Sequence, residues 1–434
     1  MKLSLYLVAS YHSLRSDSAD TVDLLCRNFA LAKAAVAIIR ASDCINRIST
    51  CCFFIVAIMS KSDVKPRVLI LGGCGFVGRH LVSFLVNGEL ASHVRIVDKV
   101  PPPMAWLNDY HLKAFNSPIV EFKSANLLNT VSRENAFSTD DNNKSAYWDF
   151  VINLAAETKH NQTRAVYEQG TVPLSVGCAA LAAKHQVKRY VEMSDSHCYS
   201  GKKKPAQEDD PVEPYTLFAE CKMEVEKELR QIDQLDYVIL RPAIIYGVGD
   251  RVGLTPWLIL GAIYRHLGET LQLLWHNEVH NNTVHVIDVC RAIWQICNSN
   301  QVTSGQVFHV SDDADTTLGD LADIIADLFE IKYKFVGKML STLAKLDLKA
   351  TAEDANDKHL PPWAEICQSA GISNTPLSPY ATVENISGRN LWLDNSKLRD
   401  KLNFEISVPK PTIDLLKEVL DDFVSMNLFP ALDK

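Results

Sequence analysis

Nowhere in these 434 residues is there a stretch of 18 uncharged apolar residues, so no membrane-spanning helix is expected. Positive charge is not in excess either. Forty-four Lys and Arg stand against 52 Asp and Glu, a net charge of −8, which argues against a general nucleic-acid surface. No CxxC pair or metal-ligand spacing occurs, so no metal centre is expected. The eleven cysteines, an odd number, read as reduced thiols of a cytoplasmic protein rather than as a disulfide framework. No internal repeat is evident. The length exceeds one typical domain, so two cores, or one core with an annex, are expected.

The first 58 residues do not share the pattern of the rest. They hold scattered serines and cysteines, an alanine-rich stretch at Phe29–Ala41 and an apolar run at Cys51–Met59 too short to span a bilayer. Six Lys/Arg favour organelle targeting, and four Asp oppose it. Residues 1–62 are therefore read as an N-terminal extension, either targeting or disordered, and carry no functional assignment.

The informative stretch is Leu69–Gly78. An apolar run, Val68-Leu69-Ile70-Leu71, feeds into glycines at 72, 75 and 78, and an amphipathic segment follows at once. That order predicts a buried parallel strand, a tight turn and a helix start. Glycine there permits the turn, lets backbone N–H groups approach a pyrophosphate and lets helix pack on strand. The helix N-terminus places partial positive charge where phosphates would lie, beside Phe76 and Val77. A second apolar strand ends at Asp98, twenty residues after Gly78. A carboxylate there accepts hydrogen bonds from both adenosine ribose hydroxyls and repels a 2′-phosphate, which favours NAD over NADP. The plainer alternative is a glycine turn that binds nothing.

From Val68 to Leu240 the pattern alternates strands (68–71, 94–97, 119–123, 150–154, 189–193, 237–240) with helices, notably at 167–185 and 217–232. The expected fold class is α/β, a Rossmann-type doubly wound parallel sheet with a smaller C-terminal substrate lobe. Residues 63–250 would form the NAD-binding domain and 251–434 the substrate lobe, partly interleaved with it. Glu134–Ala146 reads as a solvent-exposed excursion, and the chain after Gly247 as irregular, with helices at Thr317–Glu330 and Thr412–Met426.

With these landmarks, residues 66–430 resemble the extended short-chain dehydrogenase/reductase family, which includes nucleotide-sugar epimerases and dehydratases and 3β-hydroxysteroid-dehydrogenase-like enzymes. The motifs are Gly72–Gly78, Asp98, Asn126-Leu127, Asn153-Leu154-Ala155-Ala156, Met193-Ser194, Arg241-Pro242, Tyr246–Asp250 and His285–Val289, in the family's order. The resemblance implies NAD as cofactor and a small-molecule substrate, and a homodimer is compatible with it. It also implies that Asn126 and Leu127 border the adenine, that Leu154, Ala155 and Ala156 pass the nicotinamide ribose, and that Met193 and Pro242 to Ile244 lie beside the nicotinamide.

The family's chemistry uses a tyrosine four residues before a lysine, which puts both on one helix face. The ammonium lowers the phenol's pKa from about 10 so that it exchanges a proton near neutral pH. Here Lys222 is in place, but Phe218 occupies the tyrosine position. Aligning Tyr199 with the family's Val-Tyr-Gly puts Asp195 where a hydroxyl residue belongs, and a one-residue slip restores Ser194 or Ser196. Lys222 keeps the family's second role, gripping the nicotinamide ribose. The candidates for proton transfer are Asp195 with His197, Ser194, and Tyr215, which follows Pro214, read as the first helical residue. Cys198 and Cys221 are not expected to act as nucleophiles.

Nucleotide-sugar members carry an arginine four residues before the histidine of the His-Val motif, and here that position is Asn281. Arg251, Arg265 and His266 are the candidate replacements, and simple solvation is the plainer reading of each. Trp257–Leu274 either shapes a pocket for a sterol-like substrate or packs the small lobe on the sheet. Asp288 reads as structural. The expected function is NAD-dependent oxidoreductase or epimerase/dehydratase chemistry on a hydroxyl or keto group, with nonstandard proton transfer. The alternative is a non-catalytic NAD(H)-binding sensor or assembly protein.

Overall fold

The computed structural model describes residues 65–139, 147–159, 161–199 and 204–432. The N-terminal extension and most of the Asp/Asn-rich excursion lie outside them. These described residues make one compact unit.

Seven strands form its parallel sheet: β1 (Arg67–Leu71), β2 (His93–Asp98), β3 (Val120–Ser124), β4 (Phe150–Asn153), β5 (Arg189–Met193), β6 (Tyr237–Pro242) and, after three short strands, β10 (Gln306–Val310). The short ones are β7 (Ile244–Tyr246), β8 (Leu271–Leu273) and β9 (Thr283–His285), with β7 pairing β9. The spatial order is β10-β6-β5-β4-β1-β2-β3. Chain direction across the sheet therefore reverses between β1 and β4, the switch point where ligands bind in open α/β sheets. Side chains of β1 alternate between two cores. Val68 and Ile70 pack with Leu81, Val82 and Leu85 of helix α1 (Phe76–Asn87), while Leu69 and Leu71 pack with Leu174 and Cys178 of α2 (Arg164–Lys184). Burial on both faces is why these strands read as continuous apolar runs.

The later half is more regular than its sequence suggested. It contributes β10 to the main sheet, and Trp257–Leu274, within the stretch read as irregular, is the helix Thr255–Leu267 followed by β8. Leu258, Ile259 and Ile263 of that helix pack with Phe329, Trp363, Leu416 and Phe423 in a third core. Most of the apolar side chains of this helix are thus engaged in packing within the lobe, with Trp257 and Leu260 only partly buried. Its apolar residues are nearly continuous, which hides helical periodicity. Helices Leu318–Phe329 and Ile413–Ser425 match expectation to within a residue or two at each end, each N-capped by a threonine.

Candidate functional site

The glycine turn is built by close approach. Gly72 has φ +77°, and a Cβ there would come within 2.8–2.9 Å of the Leu154–Ala155 backbone, so β1 and the end of β4 touch. A Cβ on Gly78 would lie 2.5 Å from the Gly73 Cα. Gly75 differs: its Cβ would meet only the Gly72 carbonyl, at 3.1 Å. Gly75 is also the N-cap of α1, with no side-chain cap and no acidic residue in the first turn. The first N–H groups of α1, beginning with those of half-buried Phe76 and Val77, thus have no side-chain cap and no acid of the first turn competing for them.

Asp98 closes the other side. Its Oδ2 accepts from the Cys74 N–H and its Oδ1 from the Val100 N–H, both at 3.0 Å, which fixes the carboxylate beside the turn. Lys99, the residue that would welcome a 2′-phosphate, lies 3.7 Å from Glu157. Arg79 is buried and donates to the carbonyls of Cys74, Ala105 and Trp106, stapling the following loop to the turn. Burial and the neighbouring Arg251 lower its pKa to about 10. These residues fit a dinucleotide: open donors at a helix N-terminus, a fixed ribose-facing carboxylate and no acid in the phosphate cradle.

Past the switch point, Asn153 accepts from the Ala155 N–H and so sets the course of Leu154, Ala155 and Ala156. Ser196 Oγ donates to the Pro242 carbonyl, tying the loop after β5 to the end of β6, beside half-buried Met193 and Ile244. Asn126 is exposed and accepts from the Leu128 N–H, whereas Leu127 is buried in the core.

Lys222 emerges from helix α3 (Leu217–Leu229), and its side chain is 3% exposed. Its Nζ donates to Glu192 Oε1 at 2.9 Å, and the fully buried Glu192 also accepts from Ser175, Asn153 and Tyr190. Phe218 lies one turn earlier, its ring 5.7 Å from Lys222 Nζ and 6.1 Å from the Tyr167 ring.

The β5 end carries the titratable groups. Asp195 Oδ1 accepts from both the His197 N–H (2.6 Å) and His197 Nδ1 (2.7 Å). Burial opposes charge on both groups, yet their mutual attraction prevails. Asp195 is held below its ordinary 3.8 and His197 above its ordinary 6.5. His197 Nε2 makes no hydrogen bond with the described residues. Tyr215 packs its ring against His197 (5.6 Å), the Arg389 guanidinium lies over the Tyr215 ring (5.6 Å), and burial pushes the phenol up.

Two local expectations change. Pro214 does not begin α3: Thr216 is its N-cap, accepting from the Ala219 N–H, so Tyr215 precedes the helix rather than lying in its first turn. Thr216 wins because its hydroxyl satisfies an orphan helix donor. Ser194 faces away from the Asp195–His197 pair, donating to Glu226 Oε1 at 2.6 Å within the buried Glu226–Arg241 pair. Cys198 and Cys221 are buried with raised thiol pKa values, about 12 for Cys198, and so are poor nucleophiles. Arg265 and His266 close the helix Thr255–Leu267, His266 lying 3.6 Å from Glu365. Asp288 accepts from Ser407, Val408 and Arg291, a structural clasp.

Sequence reasoning missed Glu192, Glu226 and Arg389. A carboxylate inside the buried strand Arg189–Met193 was a usable signal for Glu192, whereas Glu226, whose partners Ser194 and Arg241 are 32 and 15 residues away, carried none. Arg389 carries no local signal.

The sheet order, the open helix N-terminus and the fixed carboxylate define a dinucleotide-binding α/β protein. Residues 68–311 match the NAD dependent epimerase/dehydratase family, and the chain belongs to that family of enzymes. It is 23% identical over 273 residues to a dTDP-glucose 4,6-dehydratase of Streptomyces niveus, covering 60% of this chain and 76% of that one. It is 26% identical over 272 residues to a decarboxylating sterol-4-alpha-carboxylate 3-dehydrogenase of Candida albicans, covering 60% and 74%. Among solved structures it shares its fold with the Streptomyces venezuelae dTDP-glucose 4,6-dehydratase with NAD bound (TM-score 0.60, 18% identity, 83% of this chain and 97% of that one). The Thermotoga maritima UDP-glucose 4-epimerase with UDP-glucose has the same fold (TM-score 0.57, 19% identity, 83% and 99%).

Proposed function

We propose that this chain binds NAD at the Gly72–Gly78 turn and interconverts a hydroxyl and a keto group of a nucleotide sugar or sterol-like alcohol. In this reading His197, backed by Asp195, moves the proton. The observation that carries it is the Asp195–His197 pair, 2.7 Å apart at the end of β5, in a chain whose usual tyrosine position holds Phe218.

The Phe76 to Gly78 amides would hold the pyrophosphate and Asp98 the adenosine ribose. The nicotinamide, when bound, supplies a hydride acceptor or donor. In oxidation, neutral His197 Nε2 takes the hydroxyl proton, and Asp195 stabilises the imidazolium that forms. In reduction, the imidazolium returns that proton to the carbonyl oxygen. Lys222 is committed to Glu192, so its part is to steady the ribose side of the cleft from a fixed position. Asn281 stands where nucleotide-sugar members have an arginine, which favours the sterol-like class over a substrate gripped through its pyrophosphate.

The test is product analysis by mass spectrometry and nicotinamide absorbance, with NAD(H) and a panel of nucleotide sugars and 3-hydroxysterols. Turnover of one class is expected, with His197→Ala lowering kcat/KM about 10²–10⁴-fold while NAD affinity holds. Tight NAD(H) binding with no turnover across the panel would instead identify a non-catalytic sensor or assembly protein.

A further inference from the structure

The helix Lys338–Leu346 is turned inside out for a protein in water. Met339, Leu340, Leu343 and Leu346 occupy one arc of it and are 80, 54, 57 and 79% exposed. The polar Ser341 is on the other side, 3% exposed, donating to the Gly337 carbonyl and accepting from the Trp275 N–H at 2.7 Å. The polar anchor thus points into the protein and the apolar face points out. A monomer in water gains nothing from four large apolar side chains grouped in this way.

Charge indicates what covers that face. Residues 332–349 contain Lys332, Lys334, Lys338, Lys345 and Lys349 against the single acid Asp347, in a chain whose net charge is −8. Lys332, Lys334, Lys345 and Lys349 are exposed, and Lys349 lies 3.9 Å from Glu353. An apolar arc with lysines before and after it along the chain is the composition of a helix lying in the headgroup region of an anionic bilayer. No helix among the described residues is long and apolar enough to cross a membrane, so the contact is peripheral. A second copy is a poorer occupant, because a two-fold pairing through this face would bring both sets of lysines to one interface.

We propose that the helix Lys338–Leu346 seats this protein on an anionic membrane surface, its leucine and methionine face in the acyl boundary and the flanking lysines on lipid headgroups. The proposal is independent of the catalytic reading.

The experiment is co-sedimentation of the full chain with vesicles of phosphatidylcholine alone or containing about 30 mol% phosphatidylserine. Binding to the anionic vesicles is expected to exceed binding to the neutral ones at least tenfold and to fall as salt is raised. Leu343→Ser with Leu346→Ser should reduce it by about tenfold or more, and Lys345→Gln by about fivefold. All three positions are exposed, so an unchanged Tm should accompany the loss. Equal binding to both vesicles, or double-variant binding like that of the parent chain, overturns the proposal. So does sedimentation analysis showing a dimer that the double variant dissociates, since the occupant would then be a second copy.

Discussion

Two single-methyl additions in the glycine turn separate folding from coenzyme binding. Gly78→Ala places a Cβ 2.5 Å from the Gly73 Cα and 2.6–2.7 Å from the carbonyl oxygens of Gly73 and Gly72. All three are backbone atoms, so the helix must lift off the turn, an overpacking cost of about 1–3 kcal/mol. Gly75→Ala meets one atom, the Gly72 carbonyl at 3.1 Å, and its φ of −67° suits any L-residue. There the gain from a stiffer unfolded chain, about 0.4–1 kcal/mol, opposes the loss of a glycine N-cap, which is of similar size. Net stability should stay within about 1 kcal/mol of the parent. The added methyl nevertheless stands before the α1 amides, and a displaced pyrophosphate should weaken NAD about 10–100-fold, or roughly 1.4–2.8 kcal/mol. Denaturant unfolding and titration calorimetry read the two effects separately. If Gly75→Ala binds NAD as the parent does, the cradle is not where the coenzyme lies.

Lys222→Met leaves the Glu192 carboxylate buried without its cation and should cost about 3–5 kcal/mol in denaturant unfolding, with Glu192→Gln in the same chain restoring most of it. Phe218→Tyr adds a hydroxyl next to an ammonium already committed to Glu192, so kcat should change less than about threefold; a rise of a hundredfold would mean the tyrosine chemistry was merely missing its phenol. The Asp195–His197 attraction contributes stability above Asp195's ordinary 3.8, lost as pH falls through its lowered pKa. It is likewise present below His197's ordinary 6.5 and lost as pH rises through its raised pKa. In Asp195→Asn, burial acts on His197 alone, so its titration by NMR should move below 6.5, and an unmoved titration refutes the pairing.

The active-site end has been rebuilt around two buried carboxylates. Glu192 on β5 captures Lys222, and Glu226 one turn beyond Lys222 captures Ser194 together with Arg241. Each of these groups is held in place by a buried carboxylate. The Asp195–His197 pair at the end of β5 lies outside both clusters, as the proposed mechanism requires.

The strands and the glycine turn were readable from the chain alone because they are local. A buried parallel strand announces itself as an apolar run, and a close backbone approach demands glycine wherever it occurs. Asp98 followed from its position at a strand end. Tertiary structure decided what depends on partners far apart in sequence. Gln306–Val310 joins the sheet only because β6 offers it an edge, and nothing near Tyr215 marks Arg389 as its neighbour. The direction in which Ser194 points was equally invisible, since a short hydroxyl follows whichever buried acceptor the packing brings within reach, and that acceptor sits 32 residues away.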